Sequence, residues 1–246
     1  MSNITTVILL LTLTLISLFV VSLINQQQTR KKIIHQRVNR IKRRVSELEE
    51  LSANIEPLVE NLRIPMIVND EAIDLIKNMI KLSPTNPYFP INLESAEQRA
   101  EELRNTSKHD VFRLMESDAA IARSQYALTE TAGIIRKRQA AGLLEVAEME
   151  SYIHDLTWSN FMIKVSSNVG QGHKAVNRGD VLKAFAFYRK ALEVATEGGF
   201  KDDRQGQIIS ELGDILHNKR KALSPRLMPE TLYNPDEKAA SVNPNI

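Results

Sequence analysis

An uncharged apolar run followed at once by a dense run of positive charge governs what this chain can become. Residues 4–24 are dominated by Ile, Leu and Val, and no charged side chain occurs before Arg30. These 21 residues match the roughly 20 that a helix needs to cross about 30 Å of hydrocarbon. The polar members, Thr5, Thr6, Thr12, Thr14, Ser17 and Ser22, carry hydroxyls that bond back to their own helix and cost far less in lipid than a charge. The sequence predicts a transmembrane helix in segment 1–25. Residues 1–6 hold no basic side chain and residues 20–25 offer no A-x-A site, so the span reads as an uncleaved anchor rather than a signal peptide.

Arg30, Lys31, Lys32, Arg37, Arg40, Lys42, Arg43 and Arg44 then form a collar with no acid before Glu47. Such clusters stay on the cytosolic side. The expected layout is an inner or plasma membrane protein, crossing once, with a short N-terminus outside and a cytoplasmic C-terminal domain. Eight of the 32 Lys and Arg lie in the collar, leaving 24 against 30 Asp and Glu, a net of −6 for the rest. A polyanion would be attracted only at the collar, where anionic lipid headgroups compete at about 1 kcal/mol per basic residue. Membrane lipid is the expected partner of the eight cations, and nucleic acid is not. The absence of Cys excludes disulfides, thiolate metal sites and a Cys nucleophile.

The first Pro is Pro57 and the first Gly is Gly133, so nothing before position 57 obliges a helix to stop. Segment 26–56 reads as a helical stalk. Ile34, Val38, Ile41, Val45, Leu48, Leu51, Ile55, Leu58 and Leu62 recur in steps of three and four, a short heptad pattern with one stammer at Leu48 to Leu51. Such a stripe either pairs with a second chain as a coiled-coil homodimer or lies against the protein's own domain.

Five prolines between Pro57 and Pro90 mark segment 57–94 as a joint. One short helix is expected inside it, capped by Asn69 and ending near Lys81. Tyr88 and Phe89 are expected to tuck into the next domain. Segment 95–221 contains no proline and reads as all helix, giving an all-α fold. Ser95 with Gln98 and Ser107 with Asp110 look like helix starts. The second would open a helix through Val111, Met115, Ala119, Ala122, Tyr126, Ala132 and Ile135 to about Ala140. Gly142 makes the turn, and Leu143 to Val165 carries an antiparallel partner whose apolar face includes Trp158 and Phe161. The tail, 222–246, holds Pro225, Pro229, Pro235 and Pro244 and is expected to be disordered.

Gly172, Gly179, Ala184, Tyr188 and Ala191 follow, with residues 178–192 as their most regular stretch. Shifting by 34 residues, Gln171-Gly172 meets Gln205-Gly206, and Gly179-Asp180 meets Gly213-Asp214. Segment 165–220 therefore resembles tetratricopeptide repeats, with one good copy and one degenerate copy. The resemblance implies helical hairpins in which Ala184, Tyr188 and Ala191 face inward. It also implies a protein-binding groove lined by Val169, His173, Asn177, Gln207 and Glu211.

Among five histidines, His109-Asp110 and His154-Asp155 resemble the dipeptides of HD phosphohydrolases, but each sits in a charged, helix-favouring context. Residues 170–174 lack the earlier Gly of a phosphate loop. No motif that supplies a nucleophile, general base or metal occurs. No cofactor and no metal site is read from the chain, and the expected function is non-enzymatic. It is a membrane-anchored adaptor or scaffold that binds a partner protein through its helical domain. The alternatives are a self-associating structural spacer and, below it, an HD-type hydrolase.

Overall fold

The computed structural model describes residues 3–106, 109–200 and 202–235, excepting the side chains of 3–10, 12, 14–16 and 20. The described residues contain seven α-helices and no strand: α1 (Asn3–Ile55), α2 (Arg63–Leu82), α3 (Tyr88–Asn105), α4 (Asp118–Ala140), α5 (Val146–Asn177), α6 (Val181–Glu197) and α7 (Asp203–Leu216). Single 3-10 turns occur at Glu56–Leu58 and Thr231–Tyr233. The all-α expectation therefore holds. Among the described residues no helix is long and apolar enough to cross a membrane. Much of the expected span falls on the side chains that lie outside the described ones.

The chain divides into two compact units, Met1–Glu47 with Ala72–Gln98, and Leu48–Glu71 with Arg99–Ile246. In the first, Val38, Val45, Ile76, Met79 and Phe89 are buried, and Lys77 pairs with Glu97 at 3.5 Å across its surface. In the second, the stalk stripe continues through Leu48, Leu51 and Ile55, all buried. Ser52 there donates from Oγ to the Pro65 carbonyl at 3.0 Å. From Val38 to Ile55 the stripe is thus largely covered by the protein's own chain, one of the two outcomes its periodicity allowed.

The proline-rich joint is mostly helix. Pro65 and Pro90 each sit in the first turn of a helix, α2 and α3, where the missing N–H has no intrahelical partner to lose. Asn69 lies inside α2 and is buried rather than capping. Ser95 is likewise interior to α3. Phe89 is buried within the first unit rather than against segment 95–221, and Tyr88 remains exposed.

The expected long helix through Val111 and Met115 starts later. Ser117, itself extended, caps α4 by accepting from the Ala120 amide at 3.2 Å, and residues 109–117 are not helical. Ser107, the expected start, lies outside the described residues. Four successive amides explain why helix loses here. Phe112 donates to the Pro57 carbonyl at 2.7 Å. Arg113 and Leu114 donate to Glu230 Oε1 at 2.6 and 3.1 Å, and Met115 to Ser167 Oγ at 2.9 Å. A backbone whose donors are all met by distant acceptors has no need of its own i−4 carbonyls.

Gly142, at φ 73°, terminates α4, its amide donating to the Gln139 carbonyl and that of Leu143 to Arg138, a left-handed C-cap. Leu143 lies outside α5 and is exposed. The expected 143–165 helix and the first repeat-like helix are one element, α5. Arg178, Gly179 at φ 78° and Asp180 turn the chain into α6, with Asp180 accepting from the Lys183 amide at 3.1 Å. Gly213-Asp214, by contrast, lie inside α7. The 34-residue correspondence therefore does not extend to the backbone at that pair. The main core gathers Trp158, Phe161, Met162, Val165, Ala184, Tyr188 and Leu212 from α5, α6 and α7, and it is closed by Leu223, Leu227 and Met228. The tail up to residue 235 is thus packed, not disordered, because three apolar side chains between its prolines find this core. Residues 236–246 lie outside the described residues.

Candidate functional site

Two regions hold the residues the sequence singles out. The first is the collar on α1. Seven of its eight cations are exposed; Arg44 is partly covered and pairs with Glu47 at 3.1 Å. Positions 31, 35, 38 and 42 follow one another by four, three and four, so they share one face of the helix. On that face the first unit forms an open cavity of about 330 Å³. Lys31 and Lys42 supply its cations, with the His35 imidazole between them. The floor is apolar, made by Ile34, Val38 and Phe89. Asn39 and the α2–α3 corner, through Ser83 and Asn86, complete it, and no carboxylate lines it. Asn86 Oδ1 accepts from the Tyr88 amide at 3.0 Å, which opens α3 and leaves the Asn86 amide nitrogen as a donor. Of these residues, the sequence singled out Lys31 and Lys42 but not His35 or Asn39, although His35 stands four residues after Lys31 and Asn39 three before Lys42.

The second region is the α5–α6 hairpin, where the expected groove does not form from the residues assigned to it. Val169 and His173 are 0 % exposed. His173 Nδ1 shares a 2.8 Å hydrogen bond with the Tyr188 hydroxyl, and its Nε2 is buried without a partner. Burial holds the imidazole down at about 4 and pushes the Tyr188 phenol up, so both are neutral packing groups. Glu211 is buried too, accepting from the Ser224 amide at 2.7 Å and from Gln207 at 2.9 Å, with Arg220 at 3.1 Å. Burial pushes its carboxyl up, but these partners outweigh that and hold it below the usual range. It fastens the tail to α7. Only Asn177 and Gln207 of the five are exposed. The repeat resemblance placed the five along one groove but did not show that Tyr188 and the tail would cover Val169, His173 and Glu211.

Ala184, Tyr188 and Ala191 do face inward, at 0, 4 and 0 % exposure. Gly172 makes this possible: a Cβ there would stand 2.7 Å from Tyr188 Cδ1 and nearer still to Cε1. Trp158 and Phe161 belong to the core, with ring centroids 5.2 Å apart and Phe200 within 5.3 Å of each. The Arg204 guanidinium lies 4.2 Å over the indole.

The HD-like dipeptides do not converge. His109 Nε2 contacts the Val59 carbonyl at 2.6 Å, while His154 packs edge-on against Phe200. Among the described residues no three His, Asp or Glu side chains gather in a metal-holding group. The sequence gives no sign of the buried Arg113, which donates to the Leu58 carbonyl at 2.9 Å and reaches Glu60 and Ser159. Its partners are 46 to 55 residues away. No family model, curated protein or solved structure matches the chain.

Proposed function

We propose that this protein is a single-pass, membrane-anchored scaffold. In this reading residues 4–24 span the bilayer with the short N-terminus outside. The collar then rests on anionic headgroups at the cytosolic face, and the unit containing α4 to α7 binds a partner protein without catalysis. The observation that carries it is the step in character along α1. Leu13, Leu18, Phe19, Val21, Leu23 and Ile24 are all more than 40 % exposed among the described residues, an apolar surface that lipid suits. Beyond them the exposed side chains become cations within one or two turns.

Anchoring is tested by alkaline carbonate extraction of membranes. The full chain is expected to remain in the pellet, and a C-terminal reporter to be active only in the cytosol. Release into the supernatant, or an outside reporter, contradicts the reading. For the partner surface, Asn177 and Gln207 replace the buried members of the expected groove. A photo-crosslinking residue at either position is expected to give one discrete heterologous adduct in intact membranes. No adduct at either position removes the proposed surface.

A further inference from the structure

We propose that the cavity on α1 is a binding site for the phosphate headgroup of one anionic glycerophospholipid, distinct from the diffuse attraction of the collar as a whole. The inference rests on the anchored reading, because that reading sets the depth of the cavity. Lys31 follows Ile24 by seven residues, about 10 Å along a helix rising 1.5 Å per residue. The polar layer on each side of the hydrocarbon is about 5–8 Å deep, and a lysine stem spans the remainder by leaning back toward it. The lower rim of the cavity therefore meets the phosphates, while Lys42, eleven residues beyond Lys31 and about 16 Å further along the axis, closes its far end and adds to the field rather than reaching into that layer.

The chemistry of the lining matches a phosphate ester. Lys31 and Lys42 supply compact ammonium donors, and His35 carries a ring N–H in either neutral tautomer. Ser83 and Asn86 add neutral donors. The first turn of α3, which borders the site through Phe89, contains no acid, so its partial positive end adds to the field. Ile34, Val38 and Phe89 offer an apolar wall to the glycerol carbons. The remaining collar cations lie outside this lining. They attract anionic lipid but have no walls with which to select a headgroup.

The test is native mass spectrometry of the full detergent-solubilised chain after incubation with equal phosphatidylglycerol and phosphatidylcholine. The wild type is expected to retain one phosphatidylglycerol in preference to phosphatidylcholine. Lys31→Ala with Lys42→Ala should weaken that adduct by about tenfold or more, given the contribution of each cation near a lipid surface. Lys32→Ala with Arg43→Ala, an equal charge change on exposed residues outside the cavity, should leave the adduct in place. Equal loss in both pairs, or no selective adduct, overturns the proposal. Displacement of the adduct by millimolar glycerol phosphate also overturns it, since the ligand would then be a soluble phosphate ester. Carbonate extraction separates the two failures. A chain that stays in the membrane without a cavity-dependent adduct keeps its anchor and loses the site. A chain that leaves the membrane yet holds the adduct loses the anchor.

Discussion

Replacing Gly172 by alanine tests the approach of α5 to Tyr188 of α6. The new Cβ would meet Tyr188 Cδ1 at 2.7 Å and Cζ at 2.9 Å, well inside contact. The ring has little room to retreat, because it is 4 % exposed between Ala184 and Ala191 and is tied to His173. Overpacking of this kind costs about 1–3 kcal/mol. Moving the ring also breaks its hydrogen bond to His173, between two buried groups, about 1–3 kcal/mol more. Alanine's better helix propensity returns about 1 kcal/mol, so the net loss is about 3 kcal/mol, or roughly 6–12 °C in Tm at this size. The same change at Gly206 of α7 meets nothing within 4 Å and should raise stability by up to about 1 kcal/mol through propensity alone. Thermal unfolding of the solubilised chain, followed by far-UV circular dichroism, reads both. If Gly172→Ala melts at or above wild type while Gly206→Ala behaves as expected, α5 and α6 do not approach as described.

Two further outcomes follow from buried polar groups. His173 is held neutral by burial, down to about 4, so the unfolded chain binds the extra proton between that value and the ordinary 6.5. This contribution is present in full above about pH 6.5 and is lost as pH falls toward 4, about 3 kcal/mol in all. Denaturant unfolding at pH 7 and 4.5 should show His173→Gln losing less stability across that interval than wild type. Glu230→Ala removes the acceptor of the Arg113 and Leu114 amides and should cost about 2–4 kcal/mol, measured by the same unfolding; an unchanged midpoint would mean that the tail is not holding the Arg113–Leu114 backbone out of a helix.

Local signals were legible where local chemistry decides. The small residues and tyrosine of α6 announced their inward face, Gly142 announced its turn, and the apolar run from Leu143 to Val165 announced part of α5. Proline misled in segment 57–94 because a breaker in a helix interior is harmless in a first turn, and both kinds look alike in sequence. Residues 109–117 misled for the opposite reason. Their apolar spacing suits a helix, yet Glu230, 116 to 117 residues away, takes their amides. The groove failed on burial. Helical spacing gives a face but not its occupant, and Val169 and His173 face Tyr188 and the core rather than a partner. The cavity on α1 was half legible: its cations were, while the Ser83–Asn86 corner that walls it depends on how α2 and α3 meet.

The central claim, an anchored chain with its helical unit on the cytosolic side, is tested most directly by cysteine labelling, since the chain contains no cysteine. Ser2→Cys and Ser210→Cys, the latter exposed on α7, are expressed separately and treated in intact cells with a membrane-impermeant maleimide. The account predicts that position 2 labels in intact cells and that position 210 labels only after permeabilisation. Labelling of position 210 in intact cells, or protection of both until permeabilisation, would contradict it.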